Sequence, residues 1–242
     1  MSNFLPDGRH PGSQETYDHV AQWAHPQFPF SMKDGWGRFG ILGVLGDFIL
    51  QSLPNTHIVE IGTGESSIYL TQLARIHNRR IFYCDEARGK ITNPLTIKGY
   101  LHEDTVLLSD KPYPLEYEKA RAIAYVGTSD DFFNSIRLPD IGLAFIDGEH
   151  HYEYVKRDFE NIFAKLVPDG YIFIHDTYPY EEGLVLGDYC ADSYKIRQEL
   201  EKDDRVDTFC FTKVVACNVG MFMVRKKPLN RPYYQQWMRL ES

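Results

Sequence analysis

The feature that most constrains the fold is a regular alternation of short apolar runs with amphipathic segments. The apolar runs predict five strands, at residues 57–62, 80–86, 120–127, 141–148 and 171–176. Residues 66–78 and 152–167 have the apolar spacing of helices. Because the apolar runs are nearly continuous, the strands are expected to be buried on both faces. The alternation therefore predicts a mostly parallel sheet covered by helices on both sides.

The last part of the chain breaks this rhythm. After a predicted helix at 191–203, two strands at 206–212 and 218–226 follow each other, joined only by residues 213–217. A connection that short forces an antiparallel pair. A further helix is predicted at 37–53, before the first strand. One α/β domain is thus expected over 37–226, with an N-terminal extension at 1–36 and a C-terminal tail at 227–242.

Composition excludes several classes of protein. The net charge of −8 argues against nucleic-acid binding, which needs basic surface to neutralise phosphates. No apolar run approaches the roughly 18 residues of a membrane span, and the first residues lack the pattern of a signal peptide. The four cysteines have no metal-binding spacing, so reduced, buried thiols are expected. A cytoplasmic protein without a membrane or nucleic-acid partner is predicted.

The loop after the first strand has the spacing of a ligand-binding turn. It reads Glu60-Ile61-Gly62-Thr63-Gly64, and its glycines would let the backbone approach a ligand closely. A dinucleotide site would have a third glycine where Ser67 stands. The Glu60 carboxylate would also repel a pyrophosphate but suits a cationic ligand. A purely structural turn is the alternative.

A second carboxylate lies at the end of the next predicted strand. Asp85 ends the strand at 80–86, 21 residues after Gly64, and at that place a carboxylate can accept hydrogen bonds from ribose hydroxyls. Glu86 is the alternative acceptor.

Two further carboxylates end strands that should be neighbours. Asp147 and Asp176 would meet at the carboxyl edge of the sheet and hold a divalent cation such as Mg²⁺. The metal would lower the pKa of a substrate hydroxyl. His150 is the candidate general base, and His151 is the adjacent alternative. Asp147 as a helix cap and Asp176 as a turn residue remain structural alternatives.

These motifs carry a family resemblance. E-x-G-x-G resembles motif I of the class I S-adenosylmethionine-dependent methyltransferases, which have a Rossmann-like seven-stranded sheet. The string at 146–179 resembles D-G-x-H-x-Y…V…D…L-x-P-G-G-x…H-D of the macrocin O-methyltransferase and cephalosporin-hydroxylase-like family. The matching residues are Asp147, Gly148, His150, Tyr152, Val155, Asp158, Leu166, Pro168, Gly170, His175 and Asp176, with Asp169 in place of a glycine.

The resemblance implies a site and a reaction. S-adenosylmethionine would contact Glu60, Gly62, Thr63, Gly64, Asp85 and Asp147, with Thr128 and Ser129 near the adenine. The reaction would be methyl transfer to a hydroxyl of a small molecule, such as a sugar or specialised metabolite. Catechol-type relatives have an asparagine ligand where Thr177 stands, so the third protein ligand is open, with Asp188 or Asp192 as candidates.

Two segments are long for simple connections. Residues 87–119 and 177–190 are predicted to be lids over the acceptor pocket, with contacts in a homo-oligomer as the alternative. Other functions on the same scaffold are an iron and 2-oxoacid enzyme, a non-catalytic cofactor-binding module and, least favoured, a nucleic-acid methyltransferase.

Overall fold

A computed structural model describes residues 39–64, 66–89, 91, 105–109, 120–179, 182–186, 190–211 and 220–228. Within them, eight strands form one sheet: β1 (His57–Ile61), β2 (Ile81–Asp85), β3 (Thr105–Ser109), β4 (Ala122–Val126), β5 (Ile141–Ile146), β6 (Leu166–His175), β7 (Val206–Phe211) and β8 (Met221–Lys226). The helices of these residues are α1 (Gly40–Ser52), α2 (Ser66–Ile76), α3 (Ser129–Ser135), α4 (Tyr152–Phe163), α5 (Glu182–Leu186) and α6 (Tyr194–Leu200).

The sheet has the order β3-β4-β2-β1-β5-β6-β8-β7. Pairing is parallel from β3 to β6, whereas β8 pairs antiparallel with both β6 and β7. The predicted Rossmann-like sheet of seven strands with a final antiparallel hairpin is therefore confirmed. An eighth strand, β3, adds to the edge beside β4 and lies in the 87–119 segment that was expected to be a loop.

The carboxyl ends of the central strands lie level with one another. Ile61 of β1 is in register with Cys84 of β2 and with Ile146 of β5, and Ile146 is in register with Ile174 of β6. Chain order reverses between β1 and β5, which makes their ends the topological switch point where open α/β sheets bind ligands. The loops that follow β1, β2, β5 and β6 consequently share one edge of the sheet.

Helices cover both faces of the sheet, as predicted. On one face, α3, α4 and α6 contribute buried side chains that pack against Ala144 and Ile146 of β5. On the other face, α1 and α2 pack against Leu143 and Phe145 of the same strand. Successive side chains of a strand point to opposite faces, so a strand buried on both sides must be apolar throughout. This is why β5 is an unbroken apolar run.

The segment between α4 and β6 differs from the prediction. The helix ends at Phe163 rather than continuing to residue 167, and β6 already begins at Leu166. Leu166 pairs with Ile141, but the next pair joins Tyr171 to Leu143, so the predicted Pro168-Asp169-Gly170 turn is an irregularity inside β6. Asp169 has a φ of 65° there, and Arg225 donates to its carboxylate.

The prediction of buried thiols is confirmed for two of the four cysteines. Cys84 and Cys190 are buried free thiols as expected, whereas Cys210 is exposed on β7, and Cys217 lies outside the described residues. Across the part of the chain that the structure describes, no helix is both long enough and apolar enough to span a membrane. The predicted lids at 87–119 and 177–190 lie largely outside the described residues, so that interpretation stays a prediction.

Candidate active site

Gly62 brings the loop after β1 against the loop after β5. Its φ of 81° lies in the left-handed region, and a Cβ atom at this position would overlap the backbone of Asp147 and Gly148. Its N–H donates to the carbonyl of Cys84 at 2.8 Å. Only glycine combines this positive φ with the absence of a Cβ atom that would overlap the neighbouring loop. Gly62 therefore fixes the distance between the two loops that border the switch point.

Gly64 has a different environment. A Cβ atom built on Gly64 meets nothing within 4 Å, and the Gly64 N–H donates to Oγ of Ser67 at 3.1 Å. The backbone beside Gly64 thus borders open space. A ligand could approach it as closely as motif I requires, whereas no contact with the described residues demands a glycine there.

Glu60 is a buried carboxylate with an unused acceptor. The residue is 0% exposed; Oε1 accepts a hydrogen bond from Ser66, and Oε2 has no hydrogen-bond partner among the described residues. Burial raises the pKa of Glu60 to about 8, although the Ser66 hydroxyl opposes this rise. A buried carboxylate with a vacant oxygen is stabilised by a cation or a ligand N–H group. Glu60 therefore fits a cationic ligand.

Asp85 ties the end of β2 to the same loop. Its Oδ2 accepts from the backbone N–H of Thr63 at 2.8 Å and from the Thr63 hydroxyl at 3.0 Å. Its Oδ1 accepts from the Ala87 N–H at 2.8 Å, and that oxygen keeps one acceptor position for a ligand hydroxyl. Glu86, the alternative acceptor, is exposed. The structure thus places Asp85, and not Glu86, against the loop after β1.

Thr128 and Ser129 begin helix α3 at the end of β4. The Thr128 hydroxyl accepts from the Asp131 N–H at 3.1 Å and so caps the helix. Ser129 hydrogen-bonds to Asp158, a buried carboxylate of α4 whose pKa burial raises to about 6. Both side chains have structural partners. Their predicted contact with adenine stays a prediction, although β4 ends at the same edge of the sheet as β1 and β2.

Four side chains converge where β5 and β6 end. Nδ1 of His175 lies 3.0 Å from Oδ1 of Asp147 and 3.0 Å from Oδ1 of Asp176. Nε2 of His150 lies 3.1 Å from Oδ2 of Asp176 and 3.6 Å from Oδ1 of Asp147. The structure therefore brings together the two predicted metal ligands and the predicted base, and it adds His175.

Electrostatics in this group favour ionised carboxylate at Asp147. Burial acts to raise the pKa of Asp147, but the neighbouring His175 and His150 outweigh it and hold the pKa below its ordinary value. One charged oxygen thus faces two imidazoles. Such a set can bind a cation or pass a proton between a ligand and the histidines.

The other candidates lie elsewhere. His151 is exposed and pairs with Glu149 at 2.5 Å. The Asp192 carboxylate caps α4 by accepting from the Tyr152 N–H and binds Lys195, so it is engaged away from the cluster. Asp188 lies outside the described residues.

Comparison with known proteins places the fold. A family model described as a methyltransferase domain matches residues 59–177, just under half of the chain. The O-methyltransferase TomG of Streptomyces achromogenes, solved with SAM, is 14% identical, with a TM-score of 0.54 over 91% of this chain and 92% of that one. An O-methyltransferase of Bacillus cereus, solved with SAH, is also 14% identical, with a TM-score of 0.55 over 90% and 92%. The fold is that of the class I methyltransferases.

One curated relative also matches. The uncharacterised protein y4gI of Sinorhizobium fredii is 27% identical over 181 residues, which is 73% of this chain but 19% of the relative. The chain thus spans about a fifth of that protein.

His175 is the site residue that sequence reasoning missed. The family pattern includes His175 in its H-D pair, but the sequence predicts a ligand only at Asp176. In the methyltransferase fold His175 is the last residue of β6, and its side chain is nine-tenths buried beside Phe39 and Phe145. The available signal was its place at the strand end, directly before a predicted ligand and level with Asp147.

Proposed function

We propose that this protein is an S-adenosylmethionine-dependent O-methyltransferase acting on a hydroxyl of a small molecule, such as a sugar or specialised metabolite. The observation that supports it most is the buried Glu60 carboxylate, whose Oε2 has no hydrogen-bond partner among the described residues and which stands two residues before Gly62. A buried anion at the switch point of a methyltransferase fold is suited to a nucleoside that carries positive charge.

The cofactor side of the site would use four groups. Glu60 would accept from the ammonium group of SAM, and Oδ1 of Asp85 from a ribose hydroxyl. Gly64 and Thr63 would provide backbone next to the ligand. When bound, SAM supplies a methyl group already activated by its sulfonium, so the protein contributes chiefly position and electrostatics.

The acceptor side would use the cluster after β5 and β6. His150 would take the proton from the substrate hydroxyl, with Asp176 Oδ2 at 3.1 Å to stabilise the imidazolium that results. Asp147 and Asp176 would hold a divalent cation such as Mg²⁺, which when bound lowers the pKa of the hydroxyl. The donor set fits a cation, because ligand atoms of Asp147, His175 and Asp176 lie within 4.8 Å of one another and the buried Asp176 Oδ1 makes no hydrogen bond with the described residues, although His175 Nδ1 is 3.0 Å away.

Proteins of similar structure support this proposal. TomG and the Bacillus cereus protein are O-methyltransferases bound to SAM and SAH respectively. The acidic composition of the chain, with a net charge of −8, favours a small acceptor over a nucleic acid.

The test is binding followed by turnover. Calorimetry of the full chain with SAM, with and without divalent metal, should show binding in the micromolar range or tighter, and a screen of polyols and phenols should release S-adenosylhomocysteine with one acceptor class. A chain that binds no SAM would contradict the proposal. Metal-dependent consumption of a 2-oxoacid without SAM would favour the alternative oxygenase-type enzyme instead.

A further inference from the structure

Three donor atoms meet at the ends of β5 and β6. One ligand atom each from Asp147, His175 and Asp176 lies within 4.8 Å of the other two. The contacts of His175 Nδ1, at 3.0 Å from an oxygen of each carboxylate, show that its ring nitrogen points between them. The set is therefore two carboxylates and one imidazole.

The local backbone and packing fix this arrangement. Asp176 has a φ of 56°, a left-handed conformation that is uncommon for a residue with a side chain. Ser193 donates to the Asp176 carbonyl at 2.5 Å, and Arg197 donates to the Thr177 carbonyl at 3.3 Å. Strained backbone held by neighbouring structure is common at functional sites.

The imidazole ring of His175 is also fixed by its packing. The ring centroid of His175 lies 5.3 Å from that of Phe39 and 6.3 Å from that of Phe145. With nine-tenths of its side chain buried, the ring has little freedom to turn away from the carboxylates. Asp176 Oδ1 is buried in the same interior and lies 3.0 Å from His175 Nδ1, yet it makes no hydrogen bond with the described residues. A cation bound by both atoms would satisfy this oxygen.

We propose that His175 is a direct metal ligand and that the site therefore binds a first-row transition ion, such as Mn²⁺ or Fe²⁺, in preference to Mg²⁺. Mg²⁺ is bound through oxygen ligands and waters, whereas imidazole nitrogen suits the transition ions. The inference rests on the proposed function for the position of the ion, but it concerns the identity of the ion and of its third ligand. His175 takes the place that Asp188 or Asp192 was expected to fill.

A purely structural role for His175 predicts different behaviour. A protonated imidazole between two carboxylates would stabilise them by charge and leave no room for an ion. Such a site would bind Mn²⁺ weakly, and any bound ion would show only oxygen ligands.

The test is Mn²⁺ titration of the full chain, without SAM, followed by electron paramagnetic resonance. We expect one Mn²⁺ per chain, a ¹⁴N coupling from a coordinated imidazole in the pulsed spectrum, and displacement only at more than about a hundredfold excess of Mg²⁺. Absence of stoichiometric Mn²⁺ binding, absence of the ¹⁴N coupling, or displacement by equimolar Mg²⁺ would each overturn the proposal.

Two variants and a control sharpen the result. His175→Asn should lose the ¹⁴N coupling and at least about tenfold in Mn²⁺ affinity. His175→Asp, which creates an all-oxygen set, should shift the Mn²⁺/Mg²⁺ preference towards Mg²⁺. His151→Asn, at the nearby exposed histidine, should keep both the coupling and the affinity. Circular dichroism of each variant verifies folding, and retention of the coupling in folded His175→Asp would refute the assignment.

The outcome is separable from that of methyl transfer. If Mn²⁺ binds with the nitrogen coupling but SAM does not bind, the metal inference stands and the proposed function fails. If SAM binds and is consumed but no metal binds, the proposed function stands without this inference.

Discussion

At the scale of single residues, the protonation state of the ionisable groups at the sheet edge is set by burial and by their immediate neighbours. Glu60 illustrates this, because among the described residues this fully buried carboxylate is met by the hydroxyls of Ser66 and Ser67, and no cationic side chain lies beside it. Without a ligand, burial favours the protonated form, and this raises the pKa of Glu60 to about 8. A cationic ligand would restore the ionised form, so binding and protonation should be coupled at this residue.

The pH dependence of stability offers a test of Glu60. Its folded pKa of about 8 lies above the ordinary value of 4.5, so between these values the unfolded chain loses the proton first. The free energy of unfolding of the ligand-free protein should fall as pH rises through this window and level off above it. Glu60→Gln removes this contribution. Urea denaturation should show that the free energy of unfolding of the variant, measured relative to that of the parent, is higher by a few kcal/mol at pH 8.5 than at pH 5. An equal difference at both pH values would contradict the raised pKa.

His150 provides a second residue-scale prediction. His150→Gln should lower the rate of methyl transfer by about 10²–10⁴-fold, because the proton of the acceptor loses its receiving group, while SAM affinity stays unchanged. Stopped or single-turnover assays measure the rate, and calorimetry measures the affinity. His151→Gln is the matched comparison, since that side chain is exposed and pairs with Glu149. A loss of rate in His151→Gln rather than in His150→Gln would move the assignment to the neighbour.

At the scale of elements, the loops that end β1 and β5 behave as one unit. Gly62 packs directly on the backbone of Asp147, so the loop after β1 and the Asp147 carboxylate are positioned by the same contact. The loop after β6 is held from another side, by Ser193 and Arg197 at and near the start of α6. The loops after β1, β5 and β6 thus form the candidate site together, and none of them contributes all of its groups.

The two glycines of the β1 loop allow a matched pair of variants. Gly62→Ala should destabilise the fold by about 1–3 kcal/mol, because its Cβ meets backbone and its φ is positive. Gly64→Ala should leave stability within about 0.5 kcal/mol, since its Cβ enters open space, but should weaken SAM binding. Thermal denaturation and calorimetry separate the two effects. Unchanged SAM affinity in Gly64→Ala would show that no ligand approaches this backbone.

At the scale of the whole molecule, the reversal of strand order between β1 and β5 creates the crevice. Every side chain proposed to contact cofactor or metal lies at or just after the end of a strand of the parallel part of the sheet, and the strand register places these ends at one edge. The antiparallel β7–β8 pair extends the sheet beyond β6 without contributing an assigned residue. Ligands that bind this edge should therefore stabilise the domain as a unit.

Ligand binding should be visible in global stability. At a SAM concentration of about 100 times its Kd, linkage adds about 2.7 kcal/mol, which corresponds to a rise in Tm of about 5–10 °C for a chain of this size. Differential scanning fluorimetry measures the shift. Adenosine triphosphate should give no comparable rise in Tm, because the Glu60 carboxylate would repel its phosphates. An equal shift with the triphosphate would indicate a different cofactor.

The sequence by itself determined the sheet and most of the edge chemistry. Continuous apolar runs specify strands buried on both faces, and the short 213–217 connection specifies the antiparallel end, because both are local constraints on the backbone. Glu60, Asp85, Asp147 and Asp176 could be predicted as edge residues, since the carboxyl ends of parallel strands share one side of the sheet.

Only the tertiary structure decided what these residues contact. Strand β3 lies within a segment that lacks clear periodicity, and the early start of β6 depends on its pairing with Ile141. The roles proposed for His175 and His150 depend on ring orientations set by packing across the sheet edge, which is a non-local property. Spacing along the chain names the residue at a strand end, but distances between side chains on separate elements exist only once the helices and strands have packed.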